Sequence, residues 1–195
     1  MILTINEYTD RIKKTYASFI RANRMTKRYN EIINNKEYRK LLMEVEDLEE
    51  NRKYCRHGLE HLLDVARISY IMILEDGADI SKDIIYAASL FHDIGRGKSY
   101  QSGGNHDEVS ADIAKKLLPD CGYNDKEIIQ ICDAIKSHSG RLDIGEFQNK
   151  REENKELDLA DYLKISDQLS RNCFNCKVSN TCKWSKEEKN SNIQI

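Results

Sequence analysis

The sequence predicts an all-α fold, and three observations carry that prediction. One proline and nine glycines in 195 residues leave little chemistry for turns. Alternating stretches rich in Val and Thr are few, so strands have no obvious place. Apolar residues instead recur at intervals of three and four, which puts them on one face of a helix. At this length the chain suits one domain with additions, and it can bury a sizeable core.

Composition narrows the partners. The chain has 31 basic and 33 acidic residues, a net charge of −2. That balance lacks the basic footprint of nucleic-acid binding, so nucleic acid is disfavoured as a partner. Both signs are interspersed and read as solvated helix faces. No apolar run approaches the ~20 residues that span a bilayer. Residues Met1 to Glu7 show no basic region followed by an apolar one. A soluble, cytoplasmic protein without a membrane partner is expected. In that compartment six cysteines read as thiols or metal ligands rather than disulfides.

A first helix is expected over 5–29, capped by Thr4 or Asn6, with Tyr8, Ile12, Tyr16, Phe19 and Ile20 on one face. Its basic residues read as a solvated face, with a phosphate-facing strip as the minor option. A second helical stretch, over 31–50, carries Tyr38, Leu41, Leu42, Val45 and Leu48. These two helices can pack as a hairpin on the main domain or join two chains into a homodimer, and the sequence does not separate the options. A third helix starts within 51–56 and ends at Asp76-Gly77.

The next helix organises the chain. Ser81 or Asp79 caps it, apolar residues at 84, 85, 87, 88 and 91 bury it, and it ends in His92-Asp93. Gly95, followed by Gly97, closes it as glycine commonly closes helices. A buried Asp is costly unless it is paired or binds metal. His with Asp is a donor set suited to a borderline or hard divalent cation. Alternatively, His92 caps the helix and Asp93 bonds backbone groups. Residues 95–105 read as a polar, Gly-rich loop. His106 opens another helix, with Val109, Ile113, Ala114, Leu117 and Leu118 inward, and Pro119 stops it. Asn124 or Asp125 caps the following one, which ends at His138. A charged, irregular connection runs to about Lys155, and a last helix covers 157–171.

All five histidines, His57, His61, His92, His106 and His138, lie between 57 and 138, several of them at helix ends. Scattered core histidines would not concentrate in this way. Taken in order, His61, His92-Asp93, His106, His138 and Asp167 resemble the HD superfamily of metal-dependent phosphohydrolases. Four segments carry the resemblance. His61-Leu62-Leu63-Asp64-Val65-Ala66 fits the family's first histidine with Val-Ala on the next turn. Leu90-Phe91-His92-Asp93-Ile94-Gly95-Arg96 is similar to the signature doublet. His106 and His138 stand at a helix start and a helix end, as second-metal ligands do in binuclear members. Ile165-Ser166-Asp167-Gln168-Leu169-Ser170-Arg171 resembles the segment with the final aspartate.

The resemblance covers 54–172 and implies an HD-domain-like helical bundle, placed here over 51–172 after the N-terminal helical extension of residues 1–50. It further implies that His61, His92, Asp93 and Asp167 hold one divalent metal, and that His106 and His138 hold a second bridged by Asp93. Mn, Fe, Ni, Co, Mg and Zn all tolerate these donors. Such a metal activates water against phosphorus, so the expected activity is hydrolysis of a phosphate ester or anhydride. The expected substrate is a phosphorylated small molecule, a nucleotide or a relative. His92 and Asp93 would serve catalysis, with Arg96 and Lys98 holding phosphate. Both cations also read as ordinary loop charges, and Arg96 stands where the family often has Lys. A non-catalytic metal-binding sensor is the alternative.

Three further residue choices matter. Asp167 is preferred to Asp161, which also follows an alanine, because Leu169-Ser170-Arg171 comes after Asp167. His57 is expected one turn before His61 on the same helix, as a packed histidine, a substrate contact or a support for the ligands. His57-Gly58-Leu59-Glu60-His61 also fits the inverted zinc-peptidase motif H-x-x-E-H. That reading leaves His92, Asp93, His106 and His138 without a role, and Gly58 weakens the helix it needs.

The tail, 173–195, carries Cys173, Cys176 and Cys182 in C-x2-C-x5-C spacing. Two thiolates at that spacing can grip one metal, so a second Zn or Fe–S site is one reading and reduced surface thiols are the other. Cys55, Cys121, Cys132, a cofactor or a partner would supply the fourth ligand. Cys121 and Cys132 sit in apolar surroundings and read as core residues.

Overall fold

The computed structural model describes residues 27–139, 144–153 and 155–193. Among the described residues every regular element is helical. The α-helices are α1 Arg28–Asn34, α2 Lys36–Leu48, α3 Leu59–Asp76, α4 Lys82–Phe91, α5 Arg96–Ser102, α6 His106–Leu117, α7 Asp125–Ser137, α8 Ile144–Glu152 and α9 Leu159–Leu169. Short 3-10 turns cover Pro119–Cys121, Cys173–Asn175 and Ser179–Thr181. None of these helices is long and apolar enough to cross a membrane.

Helix α4 is the axle. Ser81 caps it by accepting the Ile84 N–H at 3.3 Å, and Ile85, Ala87, Ala88, Leu90 and Phe91 are fully buried. Burying side chains such as Leu90 and Phe91 contributes roughly 1.5–3 kcal/mol each. A helix apolar all round must be surrounded, and α4 packs against α1, α3, α6, α7 and α9. Helices α3 and α9 lie alongside each other, and the Ser69 and Ser166 hydroxyls bond across that seam at 2.7 Å.

The described part of the N-terminal stretch packs on the main body, with α1 against α4 and α2 against α5. The helix expected over 5–29 lies outside the described residues up to position 26. The helix expected over 31–50 is interrupted at Asn35, whose side chain accepts the N–H groups of Glu37 (2.9 Å) and Tyr38 (3.1 Å). An asparagine that bonds backbone two and three residues ahead caps a new helix instead of continuing the old one. Helix α2 then docks on α4: the Tyr38 hydroxyl donates to the Leu90 carbonyl at 2.8 Å, and its ring meets Phe91 edge-on, with centroids 5.3 Å apart. Arg28 ties α1 to the body through Glu127 (2.7 and 2.8 Å) and Asp83 (3.2 Å).

Several boundaries differ from expectation. Helix α3 starts at Leu59 instead of within 51–56, with Gly58 at its entrance, and Gly77 closes it in the left-handed conformation at φ 65°. The expected loop after Asp93 holds helix α5; Gly103 (φ 74°) and Gly104 (φ 105°) end it. Gly95 has φ −77°, so left-handed closure is not its role. The connection expected to be irregular contains α8, which docks through buried Phe147 edge-on against Tyr162, centroids 6.0 Å apart. Pro119 opens a 3-10 turn after α6. Helix α7 carries a full capping box between Asn124 and Glu127.

Candidate metal centre

Buried at one end of the bundle, Asp93 lies in the turn just after α4, with 1% of its surface exposed. His61 reaches it from the first turn of α3, His92 from the end of α4, His106 from the start of α6 and His138 from the end of α7. Helix ends can converge because each element delivers only its terminal side chain. The Nε2 atoms stand 3.6 Å (His61) and 3.4 Å (His92) from Asp93 Oδ2, and 3.3 Å (His106) and 3.8 Å (His138) from Oδ1. Asp167, on the last turn of α9, places Oδ1 3.4 Å from His61 Nε2.

The opposite ring nitrogens determine what these rings present. His92 Nδ1 lies 2.7 Å from the Ser89 carbonyl and His138 Nδ1 2.6 Å from the Ile135 carbonyl. A carbonyl only accepts, so both Nδ1 atoms carry the proton. The Ser170 hydroxyl lies 2.8 Å from the Asp167 carbonyl and 3.2 Å from His61 Nδ1. Its single proton goes to the carbonyl, so it accepts from His61 Nδ1–H. In the neutral rings each Nε2 therefore turns a bare lone pair inward. His61 and His92 Nε2 are only 3.3 Å apart, and neither Asp93 oxygen accepts a hydrogen bond, Oδ1 having the ion pair with Arg96 and Oδ2 only the imidazoles around it. Lone pairs and a carboxylate converging in a buried site repel one another unless a cation lies between them.

Charge partners keep the carboxylate ionised. Burial alone would raise the Asp93 carboxyl; His92, the Arg96 guanidinium, His106 and His138 outweigh it and hold the acid well below the usual range. Burial pushes the His92 imidazole down to about 3, against the pull of Asp93, so this ring is neutral. His61 and His138 lose basicity to burial but gain more from Asp93, joined by Asp167 at His61 and Asp107 at His138, and are raised. Arg96 Nε lies 2.8 Å from Asp93 Oδ1.

Three sets of donors lie within 4.8 Å of one another and can hold a metal: His61, His92 and Asp167; His92, Asp93 and His138; His106, Asp107 and His138. The oxygens of Asp93 and the inward Nε2 atoms fit a divalent cation. Neutral imidazole with carboxylate suits the metals from Mn to Zn. Each ring held by its far nitrogen is the arrangement that orients metal-binding histidines.

The structure brings together His61, His92, Asp93, His106, His138, Asp167 and Arg96. Lys98 is exposed on α5 and does not line the cavity over the site. Asp161 is the third residue of α9, where its side chain accepts the backbone N–H of the capping Asp158, and it pairs with Lys150 at 2.9 Å, away from the site. His57 precedes α3, so it is not one helical turn below His61. Its backbone N–H and Nδ1 both engage Glu49, at 2.6 and 2.7 Å, and its Nε2 stands 3.9 Å from Asp93 Oδ2. Sequence reasoning missed Asp107, which is buried, 3.0 Å from His106 Nε2 and 3.5 Å from His138 Nδ1. An acid in a helix's first turn reads as a response to the helix dipole, and that hid it. Glu49 and Ser170 were missed as well.

A cavity of about 910 Å³ opens over the centre. Its walls include His57, Arg52, Lys164, Arg171, Lys183 and Trp184. The Arg171 guanidinium lies 4.4 Å over the Trp184 ring.

Comparison with known proteins gives the family and the fold. The model of the HD domain family matches residues 58–172. An uncharacterized protein of Clostridium beijerinckii is 37% identical over 166 residues, 85% of this chain and 98% of that protein. Ribonuclease Y of Acetivibrio thermocellus is 34% identical over 90 residues, and ribonuclease Y of Mycoplasma mycoides subsp. mycoides SC is 32% identical over 117. The match spans only 15% and 19% of those two proteins. The crystal structure of a predicted HD superfamily hydrolase from an uncultured Thermotogales bacterium aligns with 77% of this chain and 79% of its own. The TM-score is 0.51 at 19% identity, a likeness of fold.

Proposed function

The chain belongs to the HD domain family, and on that footing we propose that it is a metal-dependent phosphohydrolase acting on a nucleotide or a related small phosphate ester or anhydride. One observation carries the reading: the Nε2 atoms of His61, His92 and His138, each ring held by its Nδ1, converge on a buried Asp93 carboxylate whose one charge partner outside the imidazoles is Arg96.

His61, His92, Asp93 and Asp167 would hold one divalent metal, and His106, His138 and Asp107 a second beside Asp93. Metal held there supplies Lewis acidity, which offsets charge on phosphoryl oxygens and acidifies water. The protein's own groups do the rest. Lys164 and Arg171 face the cavity from α9 and the residues after it, placed to pair with phosphate oxygens, Arg in bidentate fashion. Arg96 keeps Asp93 ionised through its ion pair. His57 donates Nδ1–H to Glu49, which places its Nε2 3.9 Å from Asp93 Oδ2 at the edge of the site. Trp184 and Tyr54 line the same cavity and offer aromatic surface to a base.

The experiment is a phosphoester panel of nucleoside monophosphates, cyclic nucleotides and dinucleotides, assayed with Mn, Fe, Ni, Co, Mg or Zn. Asp93→Ala and Lys164→Ala are assayed in parallel. The proposal expects Asp93→Ala to lose both metal and turnover, and Lys164→Ala to raise KM with metal retained. Full turnover by Asp93→Ala would refute it. Tight metal binding with no turnover on any ester would favour the sensing alternative.

A further inference from the structure

The His/Asp centre uses none of the six cysteines, all of which are free thiols. Cys121 and Cys132 are buried in the core. Of the other four, Cys55 and Cys182 line the cavity, and Cys173 and Cys176 bracket a 3-10 turn shortly before Cys182. Cys173–Asn175 forms a 3-10 turn in which the Cys176 N–H donates to the Cys173 carbonyl at 3.2 Å. Two more tight bonds follow, Ser179 N–H to the Cys176 carbonyl at 3.1 Å and Cys182 N–H to the Ser179 carbonyl at 3.2 Å. Successive turns thus fold the C-x2-C-x5-C stretch back on itself. Cys55 arrives from the segment between α2 and α3, near enough to Cys173 and Cys182 for their charges to act on its thiol. The neighbouring Tyr54 hydroxyl donates to the Thr181 carbonyl at 2.6 Å, and Cys55 and Cys182 line the same cavity.

This tail has a defined course without a core to account for it. From Arg171 to Lys189 no residue is buried. A segment that buries so little apolar surface does not offset the entropy of its own ordering. Short segments of this kind are held by disulfides or metal. Two polar attachments join the tail to the body, Asn190 to the carbonyls of Gln168, Leu169 and Arg171 at 2.8–3.1 Å and Tyr54 to Thr181, and neither buries apolar surface at the turns themselves.

The spacing of the sulfurs separates two kinds of centre. A tetrahedral zinc with Zn–S bonds of ~2.3 Å holds its sulfurs about 3.8 Å apart. Among the described residues, the groups with three donor atoms within 4.8 Å are all made of His and Asp, so no three of these sulfurs stand as one ion would hold them. A cubane cluster gives every thiolate its own iron and keeps the sulfurs farther apart.

We propose that Cys55, Cys173, Cys176 and Cys182 are the four ligands of a [4Fe–4S] cluster that staples the tail to the segment before α3 at the rim of the cavity. Each thiol gives up its proton on binding, and the nearby Arg171 guanidinium offsets part of the accumulated negative charge. The cluster fixes Lys183 and Trp184, which follow Cys182 directly, on the cavity wall.

The full chain, purified without oxygen and then incubated with ferric iron, sulfide and a dithiol, whose oxidation to the disulfide reduces two irons of every four, is analysed for iron, acid-labile sulfide and visible absorption. About four sulfides per chain are expected. Cys55→Ser and Cys176→Ser lose them, whereas Cys121→Ser keeps them. Asp93→Ala keeps the sulfide while losing the metal of the other centre, so failure of this proposal and failure of the phosphohydrolase reading are told apart. Because a ligand variant can fail to fold, the wild-type chain gives a second measure: four thiols resist alkylation until a chelator strips the iron. No sulfide after incubation overturns the proposal. Sulfide retained by Cys55→Ser does so too, as does zinc bound stoichiometrically at these thiols.

Discussion

Gly95 lies so close to Ser110 that its amide donates to the Ser110 hydroxyl at 2.9 Å. A Cβ on residue 95 would stand 2.6 Å from the Ser110 amide nitrogen and 2.8 Å from the His106 carbonyl oxygen. The start of α5 therefore rests directly on the backbone of α6, and this contact sets how far His106 extends towards Asp93. Gly95→Ala forces two backbones apart, so a loss of roughly 1–3 kcal/mol is expected, as for other overpacked sites. Thermal unfolding of the metal-free protein measures the loss. Metal titration of the same variant should show binding through His106 weakened. An unchanged melting temperature would mean that the helices separate at little cost.

Much of the bundle was legible because its signals are local. Ser81 and Asn124 cap the helices expected of them, Gly77 ends α3, and the apolar period of α4 marks the element that the others surround. His61, His92, Asp93, His106, His138 and Asp167 were legible as a set because each lies at a helix terminus or on a helix face. Signals that depend on distant partners were not. Gly95 reads as a helix-closing glycine, but the need for it arises from α6, and only the fold brings α6 there. Helix α5 has one buried residue, Gly97, and α8 has one, Phe147; neither leaves an apolar period to detect. Glu49 looks like one more solvated charge in an acidic stretch, yet it is 2% exposed beneath His57. Lys98 was expected at the site on the premise of a loop, and a helix carries it outward.

Ser170 directs His61 by taking the proton of Nδ1, and Ser170→Ala removes that acceptor without adding bulk. Supporting groups of this kind are typically worth 10–100-fold in metal affinity. The variant should bind metal weaker by about that range, with its circular dichroism unchanged. Competition with a chelating dye measures the affinity, and an affinity equal to wild type would show that packing alone orients the ring.

Glu49 gives a pH dependence whose sign can be worked out. Burial favours its neutral form, but hydrogen bonds from His57 and Tyr100 outweigh that and hold the carboxyl at about 2, below its ordinary 4.5. A depressed acid stabilises the fold fully above its unfolded value and loses that contribution as pH falls through the folded value. The wild-type chain should therefore lose stability between about pH 5 and about pH 2 in part through this group. Glu49→Gln, with no charge to titrate, should be less stable at neutral pH and show a shallower decline in that window. Urea unfolding across the window compares the slopes. Parallel curves would remove Glu49 from the account.

Asp107 and His106 provide the last separation, between a mononuclear and a binuclear centre. Asp107 Oδ1 lies 3.0 Å from His106 Nε2 and accepts the Ser139 hydroxyl at 2.6 Å, which holds it at the far side of the site from Asp167. In a binuclear centre, His106→Ala and Asp107→Ala each remove one equivalent of metal and leave the one near His61, His92 and Asp167 in place. Asp93→Ala would remove both, because its oxygens face both groups of imidazoles. Elemental analysis after gel filtration counts the equivalents directly. One equivalent in the wild type, unchanged in His106→Ala, would confine the metal to the His61 side and leave Asp107 as a support for the His138 ring.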